Sequence, residues 1–347
     1  MEYDAARPVL AVDLGGTQIR AALITPDLAV HGRRAEPTRD EEGVDGVLAR
    51  IAQIAGEVRR DAADHGLPEP AGLGISSPGP LDPWRGVVLM APNLRGWTNV
   101  AVTDRLGAAL GMPAYLERDT NVAVMAEWRY GAARGTRNAI YITVSTGIGG
   151  GIIVDGRPLT GADGTAGEVG HIVVELDGPR CGCGGIGHVE AIASGTALAR
   201  DARAMLDGTD DSPLARLAVP GEEVDAELVA RAAAAGDRAA TALLDRAFGA
   251  IGALCASLVN LLDPEVIVIG GSIAEHQPRL FEVARAELRR RAFPILVDRI
   301  RIEPAALGGD VSLIGLLPIV NDRIGDPAFA AGSRRPPPAA MQQGAGT

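Results

Sequence analysis

The spacing of apolar and polar positions along the chain predicts an α/β protein. Buried strands are expected at residues 9–13 and 140–144, each followed by a glycine-rich turn and a strand that returns antiparallel, at 19–24 and 151–154. Residues 43–65 carry an apolar stripe at helical spacing, with arginine and aspartate on the opposite face. The repeat of strand, glycine turn and strand indicates a duplicated architecture.

Further elements are expected between and after these repeats. Strands are predicted at 71–76, 114–117 and 265–269, and helices at 100–110 and 226–262. The apolar runs stop short of the roughly 18 residues that a membrane span needs, so no transmembrane helix is expected. From residue 326 the chain is rich in Ala, Gly, Pro and Gln, and we interpret 326–347 as a disordered tail.

The composition is that of a soluble globular protein and excludes several functions. The 347 residues are 47% hydrophobic and carry a formal net charge of −11, and all 33 basic residues are arginine. A Walker A loop and a Schiff base both need lysine, and an acidic chain without basic clusters is a poor nucleic-acid binder. The N-terminal residues lack the basic and apolar regions of a secretory signal. We therefore expect a cytoplasmic protein that holds anionic ligands with backbone amides, metal ions or arginine.

Two glycine-rich turns are candidate phosphate sites. Residues 13–17 (Asp-Leu-Gly-Gly-Thr) place a carboxylate at a strand end, followed by glycines whose amides can form an anion-binding concavity. Residues 145–151 (Ser-Thr-Gly-Ile-Gly-Gly-Gly) lack the G-x-G-x-x-G spacing and continue as a strand, which excludes a Rossmann dinucleotide site. An ordinary hairpin turn explains either motif alone, so the pair carries more weight than each separately.

Asp119 follows a strand and opens a helix that reaches Trp128. An aspartate at a helix start commonly serves as a cap. The same carboxylate can accept a proton from a substrate hydroxyl while a phosphoryl group is transferred. Its position alone favours the cap.

The most specific chemical signal is a His/Cys cluster with the spacing H-x9-C-x-C-x4-H. It gathers two of five histidines and two of three cysteines: His171, Cys181, Cys183 and His188. Two thiolates and two imidazoles complete a tetrahedral zinc set, which is structural when all four ligands are side chains. The alternative is a glycine-rich loop with reduced thiols. Glu168 and Glu190 flank the ligands and could orient sugar hydroxyls, or they could form a solvated acidic face.

Together these motifs resemble the ROK family of sugar kinases and repressors, particularly its glucokinase-like members. The resemblance covers about residues 8–320 and rests on the segments 13–17, 91–97, 119–121, 146–151, 167–171, 181–190 and 269–272. It implies the actin-like, ribonuclease H-like fold of two α/β lobes with a central cleft. The small lobe would span 1–118, completed by a C-terminal helix at about 306–320, and the large lobe 119–305 would carry the zinc loop.

The resemblance also implies roles for individual residues. ATP would be bound by Asp13, Gly15, Gly16, Thr17, Thr146, Gly147, Gly149, Gly270 and Gly271. The sugar would be bound by Asn93, Asp119, Glu168, His171 and Glu190, with Asp119 as the base and His171 also ligating zinc. The implied activity is ATP-dependent phosphorylation of a hexose, glucose first, at its C6 hydroxyl. Mg²⁺ and a structural Zn²⁺ would be the cofactors, and the assembly a homodimer or homotetramer.

Two positions depart from the family pattern. His188 stands where the family usually has a third cysteine, which still leaves four ligands. Arg118 replaces an asparagine that touches the sugar in glucose-specific relatives, and arginine is longer, charged and donor-only. Alternatives therefore stay open: a fructose, mannose or N-acetylhexosamine acceptor, a polyphosphate donor, or a sugar sensor without phosphate transfer. Family repressors carry an N-terminal helix-turn-helix domain, and with 12 residues before Asp13 we expect none here.

Overall fold

Each glycine-turn repeat lies in a five-stranded sheet of its own. The computed structural model describes residues 7–91, 93–206, 212–219, 221 and 223–329. Among the described residues, one unit comprises 7–129, Leu159–Ala166 and 307–329. The other unit comprises Tyr130–Pro158 and Gly167–Ala306.

The elements are as follows in chain order. The strands are β1 (Val9–Leu14), β2 (Gln18–Ile24), β3 (Val30–Pro37), β4 (Leu73–Ser77), β5 (Leu81–Asp82), β6 (Val87–Met90), β7 (Thr98–Ala101), β8 (Ala114–Arg118), β9 (Ala139–Val144), β10 (Ile148–Val154), β11 (Arg157–Pro158), β12 (Val266–Gly270) and β13 (Arg301–Pro304). The helices are α1 (Gly43–Asp64), α2 (Val102–Leu110), α3 (Asp119–Tyr130), α4 (Glu190–Ala193), α5 (Gly195–Leu206), α6 (Pro213–Leu217), α7 (Ala226–Ala234), α8 (Arg238–Leu262), α9 (Ser272–His276), α10 (Pro278–Arg291), α11 (Pro294–Val297), α12 (Val311–Ile314) and α13 (Leu316–Arg323).

The first unit is a sheet with the strand order β3-β2-β1-β4-β8 and helices on both faces. Because side chains alternate along a strand, Leu10, Leu73 and Leu116 point into the core beneath α1. The intervening Gly74 faces α13, where an added Cβ would lie 2.9 Å from the Leu316 Cβ. Glycine at this position therefore lets α13 approach the sheet closely.

The second unit repeats this topology with the order β11-β10-β9-β12-β13. In both sheets an antiparallel hairpin is followed by two parallel strands, which confirms the predicted duplication. Helix α8 is long and apolar enough by length and composition to cross a membrane, but most of it is buried. It packs against α7 and α10, which is the pattern of a core helix.

Helix α3 up to Arg129 belongs to the first unit, whereas the sequence predicts boundaries at 118/119 and 305/306. Glu127 near its end accepts a hydrogen bond from the Leu307 N–H at 3.0 Å. An added Cβ on Gly315 would lie 2.0 Å from the Val122 carbonyl oxygen, so the turn before α13 also packs on α3. These contacts attach α3 to the C-terminal segment of the first unit.

Three local expectations differ from the structure. The helix expected at 100–110 begins at Val102, because residues 98–101 form β7 and pair with β6. The helix expected at 226–262 is two helices, since Gly236 has a φ of 87° and the Asp237 side chain caps α8. The disordered tail was expected to begin at residue 326, but Pro327–Phe329 form a short helical turn. The Phe329 ring lies 4.4 Å from the Arg323 guanidinium. Residues 330–347 lie outside the described residues.

Candidate functional site

The first glycine turn closes the β1–β2 hairpin. The Gly15 N–H donates to the Gln18 carbonyl at 3.0 Å, and the Gly15 carbonyl accepts from the Thr38 hydroxyl at 2.7 Å. The Gly15 amide is thus used within the hairpin, which favours Gly16 and Thr17 as the donors that could meet a phosphate. An added Cβ on Gly16 would lie 3.2 Å from the Asn93 Cβ. The structure therefore brings the predicted sugar residue Asn93 beside this turn.

Arg20 is a residue of this site that the sequence analysis missed. It lies directly opposite Asp13 in the hairpin register. Its Nη2 is 2.6 Å from Asp13 Oδ2, and the guanidinium also donates to the Gly309 carbonyl at 2.6 Å and to the Ser312 hydroxyl at 2.7 Å. Arg20 therefore neutralises the Asp13 carboxylate and ties the hairpin to residues 309–312. The sequence could have revealed this pair, because in an antiparallel hairpin that closes at residues 14 and 19 the next residues outward are 13 and 20.

Asp119 lies where β8 passes directly into α3. Strands β1, β4 and β8 are parallel, so their carboxyl ends place Asp119 at the same sheet edge as Asp13. The carboxylate is half-buried, and its Oδ1 accepts the Thr120 N–H at 2.8 Å. This bond fixes the carboxylate at the start of the helix. The geometry allows both the cap and the proton acceptor.

Arg118 points into the protein, with only 5% of the residue exposed. Its Nη2 donates to the Ala166 carbonyl at 2.5 Å and to the Asn121 side-chain oxygen at 3.3 Å. The guanidinium therefore holds the returning segment Leu159–Ala166 against α3. An asparagine, which the resemblance to glucose-specific relatives implies at this position, has no guanidinium to make these bonds.

A buried acid supports this junction from the other face of the sheet. Glu117 is 3% exposed and accepts hydrogen bonds from the Arg118 N–H and from the Asn121 amide, both at 2.9 Å. Its second oxygen pairs with Arg323 of α13. Asn121, itself buried, thus bridges Glu117 and the Arg118 guanidinium, and the cluster surrounds the backbone that leads to Asp119.

In the second unit, a groove of about 550 Å³ opens beside the second glycine turn. Ser145 and Thr146 of the turn line it together with Thr196 and with Ser272, which follows the predicted ATP residues Gly270 and Gly271. Its size lies in the range of small-molecule sites. Of the predicted ATP residues in this unit, Thr146 lines the groove, whereas Gly149 lies in β10 opposite Thr143.

Glycine is required at position 271, directly before the groove residue Ser272. Its φ is 92°, and an added Cβ would lie 2.6 Å from the Val144 carbonyl oxygen. The start of α9 therefore approaches the backbone at the end of β9. This places Ser272 3.0 Å from Ser145, hydroxyl to hydroxyl.

The four predicted metal ligands come together in the second unit. Their ligand atoms all lie within 4.8 Å of one another. The Cys181 Sγ is 3.8 Å from the His171 Nδ1, and the Cys183 Sγ is 3.3 Å from the His188 Nδ1. Zinc bonds of about 2.0–2.3 Å in a tetrahedron separate ligand atoms by about 3.3–3.8 Å. These two pairs match that spacing, and two thiolates with two imidazoles are a donor set that suits zinc.

Glycines hold this metal site against the second turn. An added Cβ on Gly170 would lie 2.0 Å from the Ile148 carbonyl oxygen, and one on Gly150 would lie 2.5 Å from a Val169 methyl group. The short helical turn Val169–His171 therefore packs on β10, which carries Glu168 and His171 to the glycine turn. Burial raises the pKa of the Cys181 thiol to about 11. Because metals bind the thiolate, a metal ion bound here would displace the proton of this thiol.

Comparison with known proteins decides the family. The ROK family model matches residues 9–323. The chain belongs to the ROK family. It is 35% identical over 317 residues to a glucokinase of Thermotoga maritima, covering 91% of this chain and 98% of that protein. The expected family is confirmed.

Solved ROK structures confirm the fold class as the two-lobed, actin-like ATPase fold. A ROK hexokinase from Thermus thermophilus matches with a TM-score of 0.78 and 34% identity, over 92% of this chain and 99% of that one. A ROK glucokinase from Streptomyces griseus, solved with glucose and AMPPNP, matches with a TM-score of 0.75 and 29% identity, over 91% and 99%.

Proposed function

We propose that this ROK protein is an ATP-dependent hexose kinase that phosphorylates the C6 hydroxyl of its sugar, with glucose as the first candidate. The observation that carries the proposal is the position of Asp119. It stands at a strand–helix junction, at the sheet edge that also holds the first glycine turn, in a chain that spans 98% of a glucokinase. A sugar sensor would have no need for a base at this position.

Asp119 would accept the proton of the sugar hydroxyl as the hydroxyl oxygen attacks the γ-phosphorus in line. The Thr120 amide keeps the carboxylate oriented during this step. The sugar itself would be held by Asn93, Glu168, His171 and Glu190. Water must be excluded because it competes with the sugar hydroxyl for the phosphoryl group.

The chain's own groups would meet the phosphates with amides. The donors available in the two turns are the Gly16 and Thr17 amides and the turn at Thr146 and Gly147, while Arg20 would hold Asp13 in place beside them. The Asp13 carboxylate is a hard oxygen donor that suits Mg²⁺, directly or through water. When bound, Mg²⁺ would neutralise charge on the β- and γ-phosphates.

Zinc is proposed as a structural ion held by His171, Cys181, Cys183 and His188. It would stiffen the loop that carries Glu168 and His171 and take no part in the chemistry. We further propose a cytoplasmic homo-oligomer that binds ATP and a hexose and does not bind nucleic acid or membranes, as the composition indicates.

The test is ADP release from MgATP with a panel of glucose, fructose, mannose and N-acetylmannosamine, and with polyphosphate as a second donor. Asp119→Asn should abolish turnover and leave sugar affinity largely intact. Asp45→Asn, an exposed acid in the first turn of α1, is the matched control and should behave as the wild type. Sugar binding without ADP release would favour the sensor, and unchanged turnover in Asp119→Asn would refute the assignment of the base.

A further inference from the structure

Glu190 lies between the metal loop, defined as residues 171–188, and the second glycine turn. One carboxylate oxygen is 3.6 Å from the Cys181 Sγ, and the other accepts the Ile148 N–H at 3.0 Å. An added Cβ on Gly147 would lie 2.9 Å from that second oxygen, so the turn leaves room for this carboxylate. One side chain therefore touches a metal ligand and a backbone amide of the turn.

The chain that follows Glu190 holds the other side of the turn. The Gly195 N–H donates to the Ser145 carbonyl at 2.8 Å. The Thr196 N–H and hydroxyl donate to the Thr146 carbonyl at 3.2 and 2.9 Å. Residues 190–196 thus clamp both ends of the turn that lines the groove.

Contacts within the metal loop position the backbone directly before Glu190. His188 forms a β-bridge with Val173, and the next residue, Val189, donates its N–H to the Ile172 carbonyl at 3.0 Å. Glu190 comes directly after these contacts. An ion shared by four side chains restrains the loop, and with it the carboxylate that meets the Ile148 amide.

We propose that Glu190 is a positioning residue that couples the metal loop to the nucleotide turn, so that a bound metal ion strengthens binding of the ATP phosphates. The inference rests on the proposed function, since it takes the groove as the ATP site. Without the ion, the metal loop and Glu190 sample more positions, and so does the glycine turn. Binding of the phosphates must then order the turn, and this loss of conformational entropy weakens the affinity for ATP. By linkage, ATP must tighten metal binding by the same factor.

The experiment measures binding of Mg·AMPPNP to the full chain by calorimetry without sugar, zinc-loaded and zinc-depleted. Zinc depletion should weaken binding in the wild type by roughly 5- to 150-fold, the usual range for coupled sites. Glu190→Ala should bind equally weakly in both forms. Glu265→Ala is the matched control, because Glu265 accepts the Arg137 and Asn138 amides at the opposite end of the same sheet. It should keep the wild-type response to zinc.

A second measurement uses the wild type alone, so its result holds even if the Glu190→Ala variant fails to fold. Zinc affinity of the wild type, from competition with a chromophoric chelator, should rise with AMPPNP by the factor found in calorimetry. Hydrogen exchange of residues 145–152 should slow when zinc binds. Equal zinc affinity with and without AMPPNP, or a full zinc response in folded Glu190→Ala, would overturn the inference. Failure of the zinc-loaded wild type to bind AMPPNP would overturn the proposed function as well.

Discussion

Replacing Glu117 by glutamine should destabilise the first unit and lower turnover by displacing the backbone before Asp119. The carboxylate accepts from the Arg118 N–H, the Asn121 amide and the Arg323 guanidinium. Glutamine keeps one acceptor oxygen and turns an NH₂ group toward the remaining donors. At least one buried donor therefore faces another donor.

The size of the effect follows from burial. The Glu117 and Arg323 side chains are 4% and 12% exposed, so water replaces little of what is lost. Breaking one side of a buried ion pair costs about 3–5 kcal/mol, against about 1 kcal/mol for an ordinary hydrogen bond. Arg323 keeps its bond to the Leu116 carbonyl at 2.9 Å, so we expect about 3 kcal/mol. This corresponds to a fall in Tm of about 6–12 °C for a domain of this size.

Urea denaturation followed by tryptophan fluorescence measures this directly. Trp84, Trp97 and Trp128, the tryptophans of the chain, all belong to the first unit, so the signal reports on that unit. Urea is preferred to guanidinium chloride because added salt screens ion pairs. Asp45→Asn, which breaks a surface pair with Arg105 whose side chains are 90% and 42% exposed, is the control and should cost less than about 1 kcal/mol. Equal losses in the two variants would refute the reasoning.

Three further predictions follow from other parts of the molecule. Chelation should lower Tm and sugar affinity together, with one zinc per chain by elemental analysis; a fully active protein without zinc contradicts this. The pair with Arg246 lowers the pKa of Glu175 below its usual 4.5, so its stabilisation is complete above that value and lost as pH falls through the folded-state pKa. Glu175→Gln should therefore lower the urea midpoint at pH 7 by more than it does under acidic conditions in which Glu175 is protonated, and a loss that does not shrink as the pH falls would be contrary evidence. Arg118→Asn should cost about 1–3 kcal/mol, because the Ala166 carbonyl and Asn121 lose a charged donor, and should change the kcat/KM ranking of hexoses; an unchanged ranking excludes a role in selectivity.

Features encoded by neighbouring residues were predictable from the sequence. The two hairpins follow from short apolar runs around glycine turns, and the structure places them in β1–β2 and β9–β10. The candidate metal ligands stood out because cysteines and histidines are rare in the chain and the four lie close in sequence. In both cases the interacting residues lie near one another along the chain.

Features that depend on tertiary packing were not predictable. The Glu117–Arg323 pair joins residues 206 positions apart, and nothing in either segment marks the partner. Strand β3 carries mostly exposed polar residues at the sheet edge, so it lacks the apolar alternation that identifies a strand. The contact of Glu190 with the Ile148 amide appears only once the metal loop folds back on β10. Sequence reasoning found Glu190 as a candidate sugar residue but not its second contact.

The most direct test of the account is the fate of the γ-phosphate. The wild type would be incubated with MgATP and glucose, and the product analysed by phosphorus and carbon NMR, with Asp119→Asn in parallel. We predict one new phosphomonoester at C6 of glucose, formed as ADP appears, and none with Asp119→Asn. A phosphate ester at another carbon, inorganic phosphate alone, or full activity of Asp119→Asn would contradict it.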